Sequence, residues 1–209
     1  MQGRVLVAFR GNLPSKVGGW RSDRMQVGLV WEILRRLAAR GFRFHIICYA
    51  DPGQPLIEDD GCLHIERVPA QLPCMGEIGT GVSVGARSMR ALGRRRYDLF
   101  HLIGEPLWYA GGVVAARAVG LPVLFSFLDP WYGLARFEMR GRHTSIRQTI
   151  TSFVEVCLFA NWLERFVTKA ADRVVCISDG LCAYLHRRGV PMEKMTMIPN
   201  GVNTTLFAP

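Results

Sequence analysis

The sequence predicts an α/β fold, a doubly wound parallel sheet with helices on both faces. Three observations lead there. Short apolar runs of β-type residues alternate with stretches whose apolar residues recur at helical spacing, nearly from end to end. The runs are apolar throughout, as strands are when both their faces are covered. Three helical stretches stop at a glycine (Gly41, Gly120, Gly189), and the next strand starts a few residues later. No repeat or low-complexity linker interrupts this pattern, so one domain is expected.

The elements follow in order. Residues 4–9 read as a buried strand. Asp23 opens a helix with Gln26 three residues on, the spacing of a capping box, and Val27, Val30, Leu34, Leu37 and Ala38 form its apolar face. A strand over 44–49, a loop rich in Pro, Gly and Asp, and a strand over 63–68 come next. A helix is predicted over about 82–95, then a strand over 98–103, a helix over 107–119 and a strand over 123–128. After the basic, irregular stretch 133–149, a helix over about 152–171 turns Val156, Phe159, Leu163, Phe166 and Ala170 inward. A strand over 173–178, a helix over 180–188 and a strand over 195–198 complete the regular part.

Composition narrows the partners. With 49% hydrophobic and 21% charged residues the chain can bury a proper core. Its net charge of +9 comes almost wholly from arginine and favours anionic partners. The six cysteines include no C-x-x-C pair and meet no standard zinc spacing, so a reduced, cytosolic protein without a metal is expected. No apolar stretch approaches the roughly 18–20 residues of a membrane span, and no nucleic-acid-binding module is recognisable.

In sheets of this kind ligands sit beyond the carboxyl ends of the strands. The loop after the first strand holds Gly18-Gly19 ahead of a helix N-terminus, where exposed N–H groups and the helix dipole favour a phosphate. Taken alone the pair is a weak signal and more readily serves an ordinary turn. Neither G-x-G-x-x-G nor a Walker A sequence is present, which argues against a dinucleotide oxidoreductase and a P-loop NTPase. Arg87, Arg90, Arg94, Arg95 and Arg96 alternate with Val84, Met89 and Leu92, the pattern of a helix lying on an anionic membrane or of an ordinary surface helix.

The last third is more specific. Leu163-Glu164-Arg165 leads through Ala171-Asp172 and a strand ending at Ser178 to Lys194, then Ile198-Pro199-Asn200-Gly201-Val202-Asn203 and Phe207-Ala208-Pro209. Upstream lie the Gly-Gly loop, Tyr97-Asp98 with His101, and Leu121-Pro122-Val123 followed by Asp129. These features closely resemble the N-terminal, Rossmann-like half of the GT-B glycosyltransferases of family 4, and the resemblance spans essentially the whole chain.

The resemblance implies a retaining transfer of a sugar from a nucleotide diphosphate donor, the nucleotide sugar being a co-substrate and no cofactor or metal being required. Residues 1–198 would form the acceptor-side domain. Residues 199–209 would begin the interdomain linker, with Asn200 and Gly201 at the hinge and the donor-binding domain absent, supplied in cis or in trans. The chain by itself is then not expected to turn over a nucleotide sugar. Gly18 and Gly19 would approach the donor diphosphate, while Glu105, Asp129 and Trp131 would line the acceptor side. Leu128 stands where many members carry a histidine that contacts the donor sugar and is expected to face the cleft; Asp129 is the local polar substitute and the candidate catalytic residue, and reads equally as a cap or turn residue before Pro130. Glu164 and Arg165 match the family pattern and, as neighbours on a helix, read equally as a solvated pair. The location implied is cytoplasmic, peripheral at the inner membrane face. A rival is a non-catalytic half that binds a membrane or a partner subunit; a third, a GT-B epimerase or phosphorylase, is disfavoured by the Pro-Asn-Gly-Val crossing.

Overall fold

The computed structural model describes residues 3–13, 25–50, 53–69, 76–94, 96–104, 109–130, 132 and 161–201. Its centre is the most apolar run of the chain. β1 (Arg4–Asn12) buries Val5 through Phe9 and pairs in parallel with β2 (Arg43–Ala50) on one side and β5 (Leu99–Ile103) on the other. β4 (Leu63–Pro69) continues the sheet beyond β2, with β3 (Ile57–Asp60) at that edge. Beyond β5 come β6 (Val123–Phe127), β7 (Arg173–Cys176) and β8 (Met195–Met197). The order is therefore β3-β4-β2-β1-β5-β6-β7-β8, parallel except for β3 against β4.

Helices cover both faces, as the apolar strands require. α1 (Met25–Ala39) sets Val30, Trp31 and Leu34 against Val5, Val7, Phe44 and Ile46. On the opposite face α2 (Gly76–Arg94), α3 (Ala110–Ala118), α4 (Asn161–Ala170) and α5 (Asp179–Arg187) pack Val84, Leu92, Val113, Val167 and Leu185 against Leu6, Phe100, Phe125 and Val174. Gly41 and Gly120 end α1 and α3 at φ 94° and 69°, a conformation that a side chain would strain. The doubly wound α/β expectation is met.

Two aspartates named in the sequence motifs tie strand starts together. The Asp98 carboxylate accepts from the Arg4 N–H at 2.7 Å, and Asp172 accepts from the Val123 N–H at 2.8 Å. Each caps the amino end of the neighbouring strand, satisfying a donor that the ladder leaves open.

The loop expected between the second and third strands contains β3 instead. Its sequence, Ile57-Glu58-Asp59-Asp60, has one apolar residue in four, so hydrophobic patterning carries no strand signal. What fixes it is Arg67 on β4, whose buried guanidinium pairs with Glu58 at 2.5 Å and donates to the Pro55 and Leu13 carbonyls at 3.1 and 3.4 Å. Of the helix expected over 152–171, residues 161–170 are helical and 152–160 lie outside the described residues. A 3-10 turn, Met192–Lys194, leads into β8.

Arg67→Leu should destabilise the protein by about 3–5 kcal/mol in urea denaturation, because it strands the Glu58 carboxylate in a buried site. Adding Glu58→Leu should recover most of that loss.

Candidate functional site

Strand order reverses between β1 and β5, since β2 and β4 lie to one side and β6, β7 and β8 to the other. The crevice beyond the carboxyl ends at such a reversal is where this architecture binds ligands. The loops that leave β1 and β5 carry Gly18-Gly19 and Glu105, and the loop that leaves β6 carries Asp129 and Trp131. Gly18, Gly19, Glu105 and Trp131 themselves lie outside the described residues, as does Arg95.

The roots of these loops are held by buried polar groups. Leu13, just past β1, is fully buried, and its carbonyl accepts from Arg67 and from Gln54 Nε2 at 3.2 Å. The Tyr109 hydroxyl, also buried, donates to the Ile103 carbonyl at 2.6 Å and so closes the span 104–109 that contains Glu105. The third root rests on Glu164. This carboxylate is fully buried on α4, accepting from the Tyr132 N–H at 3.0 Å and the Tyr184 hydroxyl at 2.7 Å. Arg188 faces it at 2.8 Å, lies over the Tyr132 and Tyr184 rings at 4.7 and 5.4 Å, and donates to Asn161 Oδ1 at 2.6 Å. Burial and the Glu164 carboxylate push the Tyr184 phenol upward, so it remains the donor.

The reading of Glu164 and Arg165 as a solvated pair is thereby corrected for Glu164, while Arg165 is exposed. Helical spacing sets the two apart by direction, and Glu164 points to the core because a cation and two donors wait there.

Leu128 follows β6 directly. It is partly buried and packs against the apolar layer that contains Leu13 and Ile103, as an alkyl group at a strand end does when an apolar surface adjoins it. Asp129 is exposed. Asn200 and Gly201 are exposed beyond β8, past the last ladder bond from the Ile198 N–H to the Cys176 carbonyl at 2.9 Å. His101 bonds Ser126 Oγ through Nε2 at 2.8 Å, and burial pushes it down to about 4, which keeps it neutral. It is a packed strand histidine.

The arginine helix departs from its membrane-surface pattern. Val84 and Leu92, the stripe expected to meet lipid, are buried in the core, and Met89 is exposed. Arg87 pairs with Glu66 on β4. Arg90 and Arg94 are exposed and line a cavity against the sheet, while Arg96 is exposed beyond the helix. Among the described residues no helix is long and apolar enough to cross a membrane.

The family model for Glycosyltransferase Family 4 matches residues 27–206. No curated protein sequence matches significantly. Among solved structures, sucrose-phosphate synthase from Thermosynechococcus elongatus is similar at TM-score 0.65 and 18% identity, over 100% of this chain and 50% of that one. HepE from Anabaena, solved in complex with UDP and glucose, is similar at TM-score 0.54 and 15% identity, over 99% of this chain and 46% of that one. UDP-N-acetylglucosamine 2-epimerase from Rickettsia bellii is similar at 0.55 and 11%, over 96% and 45%. The chain spans about half the length of these structures. The shared fold is Rossmann-like and of the GT-B type.

Two outcomes follow from the buried groups. Glu164→Ala should cost about 3–5 kcal/mol in urea denaturation, because it leaves Arg188 without its counter-charge. For His101, the unfolded chain takes up a proton below about pH 6.5, whereas the native imidazole resists until about 4. Stability should therefore fall as pH drops through that window, by on the order of 2–3 kcal/mol. Melting curves of His101→Gln should show a shallower fall.

Proposed function

This chain belongs to Glycosyltransferase Family 4, and we propose that it forms the acceptor-side, N-terminal half of a retaining glycosyltransferase that uses a nucleotide diphosphate sugar. Residues 1–198 are its domain and residues 199–209, with Asn200 and Gly201, the start of a hinge to a donor-binding half. That half is supplied in the same polypeptide or by a separate subunit, and turnover requires it. The observation that carries the reading is the family match over residues 27–206 on a sheet whose strand order reverses between β1 and β5.

In this reading Gly18 and Gly19 offer backbone N–H groups to the diphosphate, where a Cβ would obstruct the approach. HepE was solved with UDP and glucose bound, and a nucleoside diphosphate is the leaving group expected here. Its charge is neutralised by basic side chains of the donor half and by helix N-termini, without a metal. Glu105 and Trp131 line the acceptor side. Asp129 hydrogen-bonds the donor sugar from beside the position that carries histidine in many members. Leu128, being alkyl, makes no such bond. Closure of the two halves excludes water from the transfer. The location proposed is the cytoplasm, at an anionic membrane face met electrostatically through Arg90, Arg94, Arg95 and Arg96; with Arg87 engaged by Glu66, it adds little.

Asp129→Ala in the complete protein should lower kcat/KM about 10–100-fold, the loss of one charge-assisted hydrogen bond in the transition state. Its melting temperature should hardly move, since Asp129 is exposed. Release of nucleoside diphosphate measures the first and a thermal melt the second; unchanged turnover would remove Asp129 from the site.

A further inference from the structure

We propose that a basic cavity at the amino ends of the strands binds a phosphate-bearing ligand, at a site separate from the sugar-transfer crevice. The cavity, of about 270 Å³, lies between α2 and the strands β2 and β4. Arg87, Arg90 and Arg94 line it from the helix, one face at helical spacing, and His45, His64 and Glu66 line it from the sheet. A second cavity of about 300 Å³ adjoins it through the shared His45 and His64, and adds Arg4, Arg43 and Arg96 with Asp59. Six guanidinium groups thus face two carboxylates.

The place is set by topology. Arg4 and Arg43 are the first residues of β1 and β2, Arg96 precedes β5, and Arg94 is the last residue of α2. The transfer crevice lies at the other end of the strands, roughly 15 Å or more away for a strand of five residues. One bound molecule of modest size cannot use both.

The groups in the wall sort into those already engaged and those left for a ligand. Arg87 is committed to Glu66 Oε1, and Glu66 Oε2 lies 3.2 Å from His45 Nε2. His45 Nδ1 lies 2.6 Å from the Tyr97 hydroxyl, so the chain Tyr97, His45, Glu66, Arg87 is satisfied when the phenol donates to Nδ1 and Nε2–H donates to the carboxylate. Burial pushes Glu66 up, but Arg87 and His45 outweigh it and hold the carboxyl below its ordinary range. Arg90 and Arg94, exposed at the mouth of the cavity, make no ion pair among the described residues, and a phosphate offers pairs of oxygens that the planar guanidinium fork can engage bidentately.

A divalent cation is the competing occupant, because ligand atoms of His45, His64 and Glu66 lie within 4.8 Å of one another. The geometry weighs against it. Both His45 nitrogens are already hydrogen-bonded, to Tyr97 and to Glu66, His64 Nδ1 lies 2.7 Å from Asp59 Oδ1, and Glu66 is shared with a guanidinium. Three arginines around the same space repel a cation and attract an anion.

Calorimetric titration of the purified protein with inorganic pyrophosphate at fixed ionic strength tests this. A saturable component is expected, with Kd below about 1 mM. It should be at least about tenfold weaker in the double variant Arg90→Gln, Arg94→Gln and unchanged in Gly19→Val, which separates it from diphosphate binding at the Gly18-Gly19 loop. Both arginines are exposed, so the ligand-free melting temperature of the double variant should be unchanged. Vesicles of phosphatidic acid in phosphatidylcholine separate the sources. Displacement of bound vesicles by pyrophosphate identifies a lipid headgroup as the ligand, and pyrophosphate binding without such competition identifies a soluble phosphate compound. No saturable pyrophosphate binding, or binding unaffected by the double variant, overturns the proposal. So does zinc binding that is tighter than pyrophosphate binding and is lost in His64→Ala.

Discussion

A carboxylate with no access to water has to be answered from within the protein, and Glu164 is answered from three directions. An ionised group in that position is tolerable only when its lone pairs are filled and a counter-charge is near. Tyr132, Tyr184 and Arg188 meet those needs, and in doing so they bind the loop after β6 to α4 and α5. Arg188 carries the constraint outward, since its guanidinium lies over both tyrosine rings and reaches Asn161 at the first residue of α4. Two helices, one loop and the end of a strand therefore share a single electrostatic solution.

The same logic recurs at the loops after β1 and β5. Arg67 reaches across from β4 to the Leu13 carbonyl, and Tyr109 reaches back to the Ile103 carbonyl. Each anchor is a buried polar side chain placed where a strand gives way to a loop, because there the ladder stops and a carbonyl or N–H is left over. Loops that carry function are positioned by a rigid scaffold. Here the roots are fixed by polar groups and the sheet between them by apolar ones, a division that lets tip residues vary without disturbing the core.

What could be read in the sequence follows from that division. The strand of Val5 to Phe9 was legible because burial on both faces demands an unbroken apolar run, that over 63–68 because Leu63 and Ile65 alternate with polar residues at the two-residue period, and the helix of Val30 and Leu34 because one covered face demands the 3.6-residue period. β3 was illegible because it is an exposed edge whose charged residues give no pattern, and the Arg67 that holds it is nine residues away from Glu58. The anchors were illegible for a related reason. Glu164 and Arg188 are 24 positions apart and Arg67 and Leu13 are 54, and local pattern is silent on such pairs. The arginine helix shows the limit most plainly. Its spacing told which residues share a face, and only the packed sheet tells that Glu66 and His45 lie opposite that face, with Val84 and Leu92 already covered.

The end of β6 joins these themes. Successive side chains of an extended segment point to opposite sides, and here Phe127 enters the layer under α2 through α5 while Leu128 enters the layer containing Leu13 and Ile103. Both alkyl and aromatic groups are consumed by packing, and Asp129 is the first residue past the sheet with no apolar surface to satisfy. An imidazole at 128 would have to keep its nitrogens hydrated or bonded beside that apolar layer, a demand leucine does not make. On the proposed reading, then, the leucine trades a sugar contact for packing at the rim, and the polar contact passes one residue along to a side chain that the fold leaves exposed.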